Sequence, residues 1–480
     1  MNLSPSLSTN IQQLTLLFSL EKSFDFIHRD LYLGETKAYW LGINGFCKSE
    51  IMLKIFSDLQ NIQFTKDQHI DNLSKYMEAK IGYVQAEQVH DFDSIIKHVL
   101  SGASVLLVDG FQTAVILDSR SYPARGVEEP DSERVSRGSR DGFVETLVFN
   151  TALIRRRIRN PKLTFEILTV GTDSKTDVAI SYIDGAVNEP LLNYLKEKIS
   201  SLNISALTMG AQSLEEHLIQ KKWWQPLPQI HFTERPDVAC SFLLEGYLVV
   251  LVDNSPTTMI FPSNIFQFTQ HPDDYYLNPS VGTYFRFMRF GCILLALLLM
   301  PVFLLLGMHS DFLPAHWQFL ITDDLTPIRL FIHVLVIELG LNLFQYSTSL
   351  APSVYSNSLG LIGGLLIGQI AVDLKWLSIE SLFYGAATLF ASISISSKEF
   401  VDAIRLYRLF LILATGFFDF YGFFIGLFLV FLSIATTKGF GNKSYFWPLF
   451  PLDWQVLKTL LFRTPANKET STTNKNIPPS

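Results

Sequence analysis

The chain has 480 residues, of which 48% are hydrophobic, and a formal net charge of −7 at pH 7. This length allows two or three domains, and the mildly acidic balance argues against nucleic acid as a partner. The three cysteines, Cys47, Cys240 and Cys292, are spaced too widely for a zinc-binding pattern and fit a reducing compartment.

The first 30 residues predict an N-terminal tail and one amphipathic helix, because Ile11, Leu14, Leu17 and Phe18 recur at helical spacing. A signal peptide is not expected, since the apolar run at residues 14–20 is short and neither Lys nor Arg precedes it. We therefore expect the region before the first membrane span to remain in the cytoplasm.

Residues 31–118 predict an α/β subdomain. Asn44-Gly45 and Asp109-Gly110 are turn signals between apolar runs, and Gly102 follows a helical pattern where a left-handed residue is often needed. The predicted elements are strands at residues 38–43, 105–108 and 113–117 and helices at residues 48–59 and 92–100.

A similar order recurs in residues 143–284, which predicts a second α/β subdomain. The last part of the two copies aligns without gaps at a separation of 144, and the earlier turn aligns at 140. We infer two subdomains of similar topology, with a chance match of common strand–turn–strand patterns as the alternative. The aligned residues are Leu100, Gly102, Val105 and Asp109 with Leu244, Gly246, Val249 and Asp253, and Ile43 and Gly45 with Ile183 and Gly185.

Residues 119–142 are charged, contain two prolines and lack apolar periodicity, so they predict a linker. The helix that follows ends in Arg155-Arg156-Arg157, where cations suit the negative end of the helix dipole. Two interpretations remain open: an anion or lipid headgroup site, or a solvated helix end that packs on the acidic residues of the linker.

The stretch at residues 285–437 predicts an all-α transmembrane domain of about four to six spans. Residues 290–308 form its first uncharged run, and Arg286 and Arg289 just before it favour a cytoplasmic start. Residues 409–437 would extend about 43 Å as one helix, so a tilted helix and a broken pair both remain open. A basic tail at residues 438–480 favours a cytoplasmic C-terminus. The predicted spans are 288–308, 328–347, 357–373, 380–397 and 409–437.

Polar residues within these apolar runs are the candidates for function. Glu338 and Asp419 are carboxylates that should face protein or water rather than lipid. Asn342 lies one helical turn after Glu338, on the same face. A pore that contains water and a buried structural pair are both compatible with Glu338.

Three glycines, Gly360, Gly364 and Gly368, recur four residues apart and predict a face that lets another helix approach closely. Gln369 adjoins this face and is the fourth polar candidate. We find no phosphate-binding loop, metal-spaced cluster or nucleophile motif. We therefore expect no enzyme activity, no metal and no cofactor.

Several motifs resemble the GerA/SpoVAF family of spore germination membrane proteins, nearly from end to end. The most specific is Arg137-Gly138-Ser139-Arg140-Asp141-Gly142-Phe143, and Thr233-Glu234-Arg235-Pro236-Asp237 is a second. The resemblance is nearest to the AF-like branch, with the A subunits of nutrient germinant receptors as the alternative. Further matches are residues 121–125, 128–130, 150–159, 174–178 and 367–369.

This resemblance implies a multi-pass protein of the spore inner membrane that forms a ring-shaped homo-oligomer, a pentamer in this picture, and conducts ions. It also implies other germination membrane proteins as partners, either a small protein or a sensor subunit, and contact with membrane lipid. Many relatives carry a carboxylate where this chain has Asn342, which weakens any proposal that needs two acids there. A secondary transporter and a non-conducting scaffold remain alternative functions.

Overall fold

The computed structural model describes residues 1–47, 49–62, 73–81, 85–120, 122, 133–219, 222–312, 314–321, 325–350, 372, 376–442 and 444–463. The chain forms two compact units. The N-terminal unit is built mainly from residues 1–220 and 230–263, and the helical unit mainly from residues 221–229 and 264–468.

The first subdomain of the N-terminal unit is a sheet covered on both faces by helices. Its elements are α1 (Leu7–Phe18), β1 (Phe26–Leu33), β2 (Thr36–Ile43), α2 (Ser49–Gln60), α3 (Leu73–Lys80), β3 (Ala86–Val89), α4 (Phe92–Leu100), β4 (Ser104–Val108) and β5 (Ala114–Leu117). The strands are antiparallel, in the order β1-β2-β4-β5-β3. Because side chains alternate along a strand, Val105 and Leu107 pack with α1 and α4, while Leu106 and Val108 pack with α2 and α3.

The second subdomain has the same plan. Its elements are α5 (Leu147–Arg157), β6 (Leu163–Val170), β7 (Thr176–Ile183), α6 (Glu189–Ser200), α7 (Ala211–Leu218), β8 (His231–Thr233), α8 (Pro236–Leu244), β9 (Leu248–Val252) and β10 (Thr258–Phe261). The strand order is β6-β7-β9-β10-β8, which matches the first sheet position by position. The prediction of two similar α/β subdomains is therefore confirmed.

The repeat begins earlier than the sequence indicated, at α1 and its counterpart α5. The Leu7 amide donates to Oδ1 of Asp109 at 3.1 Å, and the Leu147 amide donates to Oδ1 of Asp253 at 3.1 Å. The Asn10 side chain likewise accepts a hydrogen bond from the amide of Ser4 and donates one to its carbonyl. The Asn150 side chain makes the same two hydrogen bonds with Val144. The first 30 residues are thus part of the first subdomain, because α1 packs on its sheet and β1 crosses the predicted boundary at residue 31.

The other predicted boundary also differs from the structure. The second subdomain ends with β10, whereas residues 264–284 belong to the helical unit. The reason is that Asp274, in the middle of this stretch, is buried against two arginines of the first long helix. That contact joins the segment to the helices rather than to the second sheet.

A buried ion pair joins the two subdomains. The Arg155 guanidinium is fully buried, and its Nε donates to Oδ2 of Asp25 at 2.8 Å. Its other nitrogens donate to the carbonyls of Asn160 and Leu163. Arg155 also lies 5.0 Å from the ring centre of Phe26 and 5.2 Å from that of Phe165. One arginine therefore contacts the first strand of both sheets, which the basic helix end alone did not reveal.

Arg155→Ala should destabilise the protein by about 3–5 kcal/mol, because the Asp25 carboxylate would stay buried without its cation. The adjacent Arg156 is the matched control: it is exposed, and its contact with the Tyr122 ring is expected to contribute about 0.5–1 kcal/mol. Thermal unfolding of the purified full chain in detergent would measure both. Equal losses of stability for the two variants would contradict the role of Arg155.

The end of the predicted linker is bound to the second subdomain. The buried Arg235 side chain donates to the carbonyls of Glu133 and Ser139 and pairs with Asp237. Arg157 pairs with Asp141 at 2.5 Å, in line with the interpretation in which the basic helix end packs on acidic residues of the linker. Burial raises the pKa of Glu133 to about 7, although hydrogen bonds from Thr233 and the Glu234 amide act in the opposite direction.

The raised pKa of Glu133 makes its contribution to stability depend on pH. Between the ordinary carboxyl pKa and about 7, the folded chain keeps a proton that the unfolded chain has lost. The contribution is therefore complete at acidic pH and is lost as pH rises towards 7. In Glu133→Gln the group no longer titrates, so the difference in melting temperature between variant and wild type should shift in favour of the variant from pH 5 to pH 8. A difference that is the same at every pH would rule out this titration.

The helical unit contains the long apolar helices. Its elements are α9 (Asp273–Tyr276), α10 (Pro279–Met308), α11 (Pro327–Leu350), α12 (Ile379–Ile393), α13 (Lys398–Thr436) and α14 (Trp454–Leu461), with 3-10 turns at Gln267–Thr269, Ser310–Phe312, Ala315–Leu320 and Phe440–Asn442. Within the described part of the chain, α10, α11 and α13 are long and apolar enough to cross a membrane, and α12 is a shorter apolar helix. The predicted span at 357–373 lies outside the described residues, apart from Val372.

Helix α13 is broken at Asp419, where φ is 56° and ψ is −138°. The Tyr407 hydroxyl lies 2.8 Å from the Ser433 hydroxyl, whereas a straight helix would separate these residues by about 39 Å. Residues 398–418 and 420–436 therefore form an antiparallel hairpin. Small residues allow the close approach: a Cβ at Gly422 would collide with the Ala414 carbonyl, and one at Gly426 would lie 3.1 Å from Leu411.

The hairpin selects the broken pair over the tilted helix. It also begins earlier than the span predicted at residues 409–437, since residues 398–408 are the first turns of α13. Ser397 caps this helix by accepting from the Phe400 amide at 3.3 Å. Arg408 is consequently a helical residue inside the unit and not part of a surface loop.

Candidate functional site: a buried ion pair among four helices

Glu338 is fully buried in the helical unit and is paired with Arg408. The Arg408 Nε donates to Oε2 of Glu338 at 2.9 Å, and its Nη2 donates to Oε1 at 2.8 Å. This two-point geometry gives the ion pair both more energy and more geometric specificity than a single hydrogen bond would. Glu338 thus faces protein, as one of the two sequence interpretations required, and its charge is neutralised within the chain.

Each of four helices contributes to the surroundings of the pair. Glu338 comes from α11 and Arg408 from α13, while Nη1 of Arg408 donates to the Ala296 carbonyl of α10 at 2.6 Å and to the Ser392 hydroxyl of α12 at 3.4 Å. The Ser392 hydroxyl in turn donates to the Thr388 carbonyl. Helix α12 can approach α11 closely because Gly385 has no side chain. A Cβ at Gly385 would lie 2.5 Å from the side chain of Ile337 in α11. Hydrogen bonds of the pair therefore connect all four helices at the same position along their axes.

Asn342 belongs to the same cluster. Its Nδ2 donates to Oε1 of Glu338 at 3.0 Å, which confirms that the two residues share a helix face. Its Oδ1 is buried and has no hydrogen-bond partner among the described atoms. An amide suits this position because it stabilises the Glu338 carboxylate, whereas a second carboxylate would repel it unless it were protonated.

The structure places Asp419 at the hairpin turn, away from this cluster. Its Oδ1 lies 2.7 Å from Nε2 of His309, the C-cap residue that follows α10. The two side chains are 46% and 32% exposed, so this pair is far more accessible than Glu338 and Arg408. The sequence placed Asp419 near the middle of an apolar run; the helix break instead puts it at one end of the hairpin.

The remaining predicted site residues, Gly360, Gly364, Gly368 and Gln369, lie outside the described residues. Their roles in packing and in a pore stay predictions. Among the residues that the structure does describe, no group of three or more His, Cys, Asp or Glu side chains could hold a metal ion.

Arg286 and Arg289, predicted from sequence to mark the cytoplasmic start of the first span, are buried in α10. Arg289 donates to both carboxylate oxygens of Asp274, at 2.9 and 2.8 Å, and to the Thr269 carbonyl. The Nη1 of Arg286 donates to the carbonyls of Thr459 and Leu460 at the end of α14. These arginines thus attach flanking segments to the first long helix.

Sequence reasoning found Glu338 but missed Arg408. Asn342 was the only partner within reach on the same helix, whereas Arg408 is 70 positions away in the chain. One signal was available: Arg408 is the last charge before an apolar run, and a cation there would need a carboxylate once that run folded into the unit.

The chain matches the family model described as Bacillus/Clostridium GerA spore germination protein over residues 15–474. Stage V sporulation protein AF of Bacillus subtilis (strain 168) is 34% identical over 442 residues, which cover 92% of this chain and 89% of that protein. Spore germination protein KA of the same organism is 28% identical over 474 residues, covering 96% of this chain and 85% of that protein.

A solved structure is also similar to part of the chain. The crystal structure of the N-terminal domain of the A subunit of the Bacillus megaterium spore germinant receptor GerK3 covers 54% of this chain and 96% of its own, with 23% sequence identity and a TM-score of 0.41.

Glu338→Gln should destabilise the helical unit by about 3–5 kcal/mol, since Arg408 would remain buried without a counter-charge. Asp402→Asn is the matched acid-to-amide control, because its pair with Arg405 is partly exposed and should contribute below about 1 kcal/mol. Thermal unfolding in detergent, followed by a spectroscopic probe attached to the helical unit, would measure the loss of stability of each variant. Combining Glu338→Gln with Arg408→Met should recover stability; a double variant less stable than Glu338→Gln alone would contradict the pairing.

Proposed function

Because this chain belongs to the GerA family of spore germination proteins, we propose that it is one subunit of a ring-shaped oligomer that conducts ions across the spore inner membrane during germination. Family membership and the apolar helices establish a germination membrane protein. The ring, the ion conduction, the inner membrane and a cytoplasmic N-terminal unit are the proposed part.

The observation that best supports a conducting subunit is the neutral cluster of Glu338, Arg408 and Asn342. In this cluster the buried charges of one subunit are paired with each other. The proposed pore therefore does not have to lie inside the helical unit of a single subunit. The outward faces of its helices are apolar and exposed, as in α11, where Ile328, Ile332, Val336, Leu339 and Leu343 follow one stripe. Such faces can contact lipid or a second copy of the chain, and a pore would then form between subunits.

In this proposal Glu338 stabilises each subunit and does not itself line the pore. Residues that face water would come from surfaces left open in one subunit. Gln369, beside the predicted glycine face, and Asp419, at the partly exposed hairpin turn, are the candidates. Other germination membrane proteins, either a small protein or a sensor subunit, are the proposed partners.

A germinant receptor A subunit is the second candidate, because the sequence resemblance includes such subunits and the relatives with nearly full-length similarity include spore germination proteins KA and B1 of Bacillus subtilis (strain 168). Germination of spores that lack the gene would distinguish a receptor A subunit from the proposed conducting subunit. Loss of the response to one germinant would indicate a receptor subunit, whereas a weaker response to several germinants would indicate a subunit that strengthens germination in general. A secondary transporter is less well supported, since the helix break lies at the end of a hairpin and the repeat lies in the N-terminal unit.

Purified protein should form a ring of defined mass in detergent and conduct monovalent ions in liposomes. Gly364→Leu should lower both oligomer content and ion flux, because its side chain would separate the predicted packing faces. Gly291→Leu is the matched control, since a Cβ at Gly291 of α10 meets nothing within 4 Å among the described residues and the α11 stripe is left unchanged. An intact oligomer without ion flux would favour the scaffold, and a monomer would reject the ring.

A further inference from the structure

A group of large apolar side chains is exposed at one end of the helical unit. Trp223 is 91% exposed, Phe450 76% and Trp454 68%, although the chain has buried cores elsewhere. We name this group the aromatic collar and define it as Trp223, Trp224, Tyr284, Phe450, Leu452 and Trp454. So many exposed aromatic residues in one region indicate an interaction surface.

The collar is fixed at the level where α10 begins. Arg286 of α10 binds the Thr459 and Leu460 carbonyls at 2.9 and 3.0 Å, and the rings of Phe287 and Phe462 lie 5.6 Å apart. These contacts hold α14, and with it Trp454, beside the first turns of α10. Residues 290–308 contain no charged side chain, so this level is where a bilayer would start.

The other part of the collar is attached to the end of α13. The Gln225 amide donates to the Thr436 hydroxyl at 3.4 Å, and the Tyr445 hydroxyl donates to the Pro228 carbonyl at 2.7 Å. The exposed pair Trp223 and Trp224 therefore lies near the same end of the helices. Lys222 is 5.9 Å from the Trp224 ring, a pairing of cation and aromatic ring that suits a membrane–water boundary.

Helix α14 has three distinct edges. Val456 and Leu457 are buried against the unit. Trp454 is exposed on a second edge, and Gln455, one position later and about 100° further round the helix, is exposed on a third. A helix with one edge on protein, one apolar and one polar fits a position flat on a membrane.

We propose that the aromatic collar lies in the headgroup region of the bilayer, with the Trp454 edge of α14 in contact with lipid and the Gln455 edge in water. Trp and Tyr are favoured at this level because their rings have an apolar body and a polar group. The charge also fits: residues 438–480 contain six Lys or Arg and two Asp or Glu, and such a basic balance is attracted to anionic lipid headgroups.

Two single-cysteine variants test the orientation, Trp454→Cys and Gln455→Cys, in full-length protein with Cys47, Cys240 and Cys292 changed to Ala. Each would carry an environment-sensitive fluorophore in vesicles of phosphatidylcholine and phosphatidylglycerol. A nitroxide on the lipid headgroup should quench the label at residue 454 several times more strongly than the label at residue 455. Equal quenching at the two positions, or no quenching at either, would overturn the proposal.

A second measurement avoids the cysteine changes. Lipid brominated near the headgroup should quench part of the native tryptophan fluorescence, and Trp454→Phe should reduce the quenched fraction. An unchanged quenched fraction would show that lipid does not reach Trp454. Protection of Trp454 that appears only in the oligomer would mean that a second copy covers this edge, and it would equally reject the lipid contact.

Discussion

A guanidinium removed from water needs both a carboxylate and further hydrogen-bond acceptors, because burying a charge alone costs more than folding can offset. Arg155 meets this requirement between the two sheets with Asp25 and two carbonyls. Arg408 meets it among four helices with Glu338, the Ala296 carbonyl and Ser392. In both units the arginine fixes the relative positions of elements that apolar packing alone would leave free to slide.

Close packing in the helical unit depends on positions without side chains. The hairpin of α13 closes because Gly422 and Gly426 face Ala414 and Leu411, and α12 approaches α11 at Gly385. In lipid, where apolar surface gains little from helix contact, such close approach supplies much of the stabilisation. The Glu338–Arg408 pair then fixes the register of this packing, because its directional hydrogen bonds form at only one relative position of the helices. Dispersion forces are not directional and would fix the register less well.

The duplicated subdomains have diverged at the positions that join them. In both copies an Asp side chain accepts from the first amide of the first helix, and an Asn side chain of that helix bonds to the backbone just before it. These residues are Asp109 and Asn10 in one copy and Asp253 and Asn150 in the other. Arg155 is found only on the second copy of that helix, where the first copy has Thr15 at the aligned position. The shared residues thus form each subdomain, and the differing residue holds the pair together.

The sequence by itself determined the repeated strand and helix order and the apolar spans, because turn glycines and periodic apolar residues act over a few neighbours. It did not reveal β1, an edge strand with mostly exposed side chains and no clear alternation. Tertiary structure alone decided the partner of Glu338, 70 positions away, and the burial of Arg155. It also decided between the tilted helix and the broken pair, by placing a turn at Asp419. These outcomes depend on which distant segments meet, and a local pattern of residue types contains no information about that.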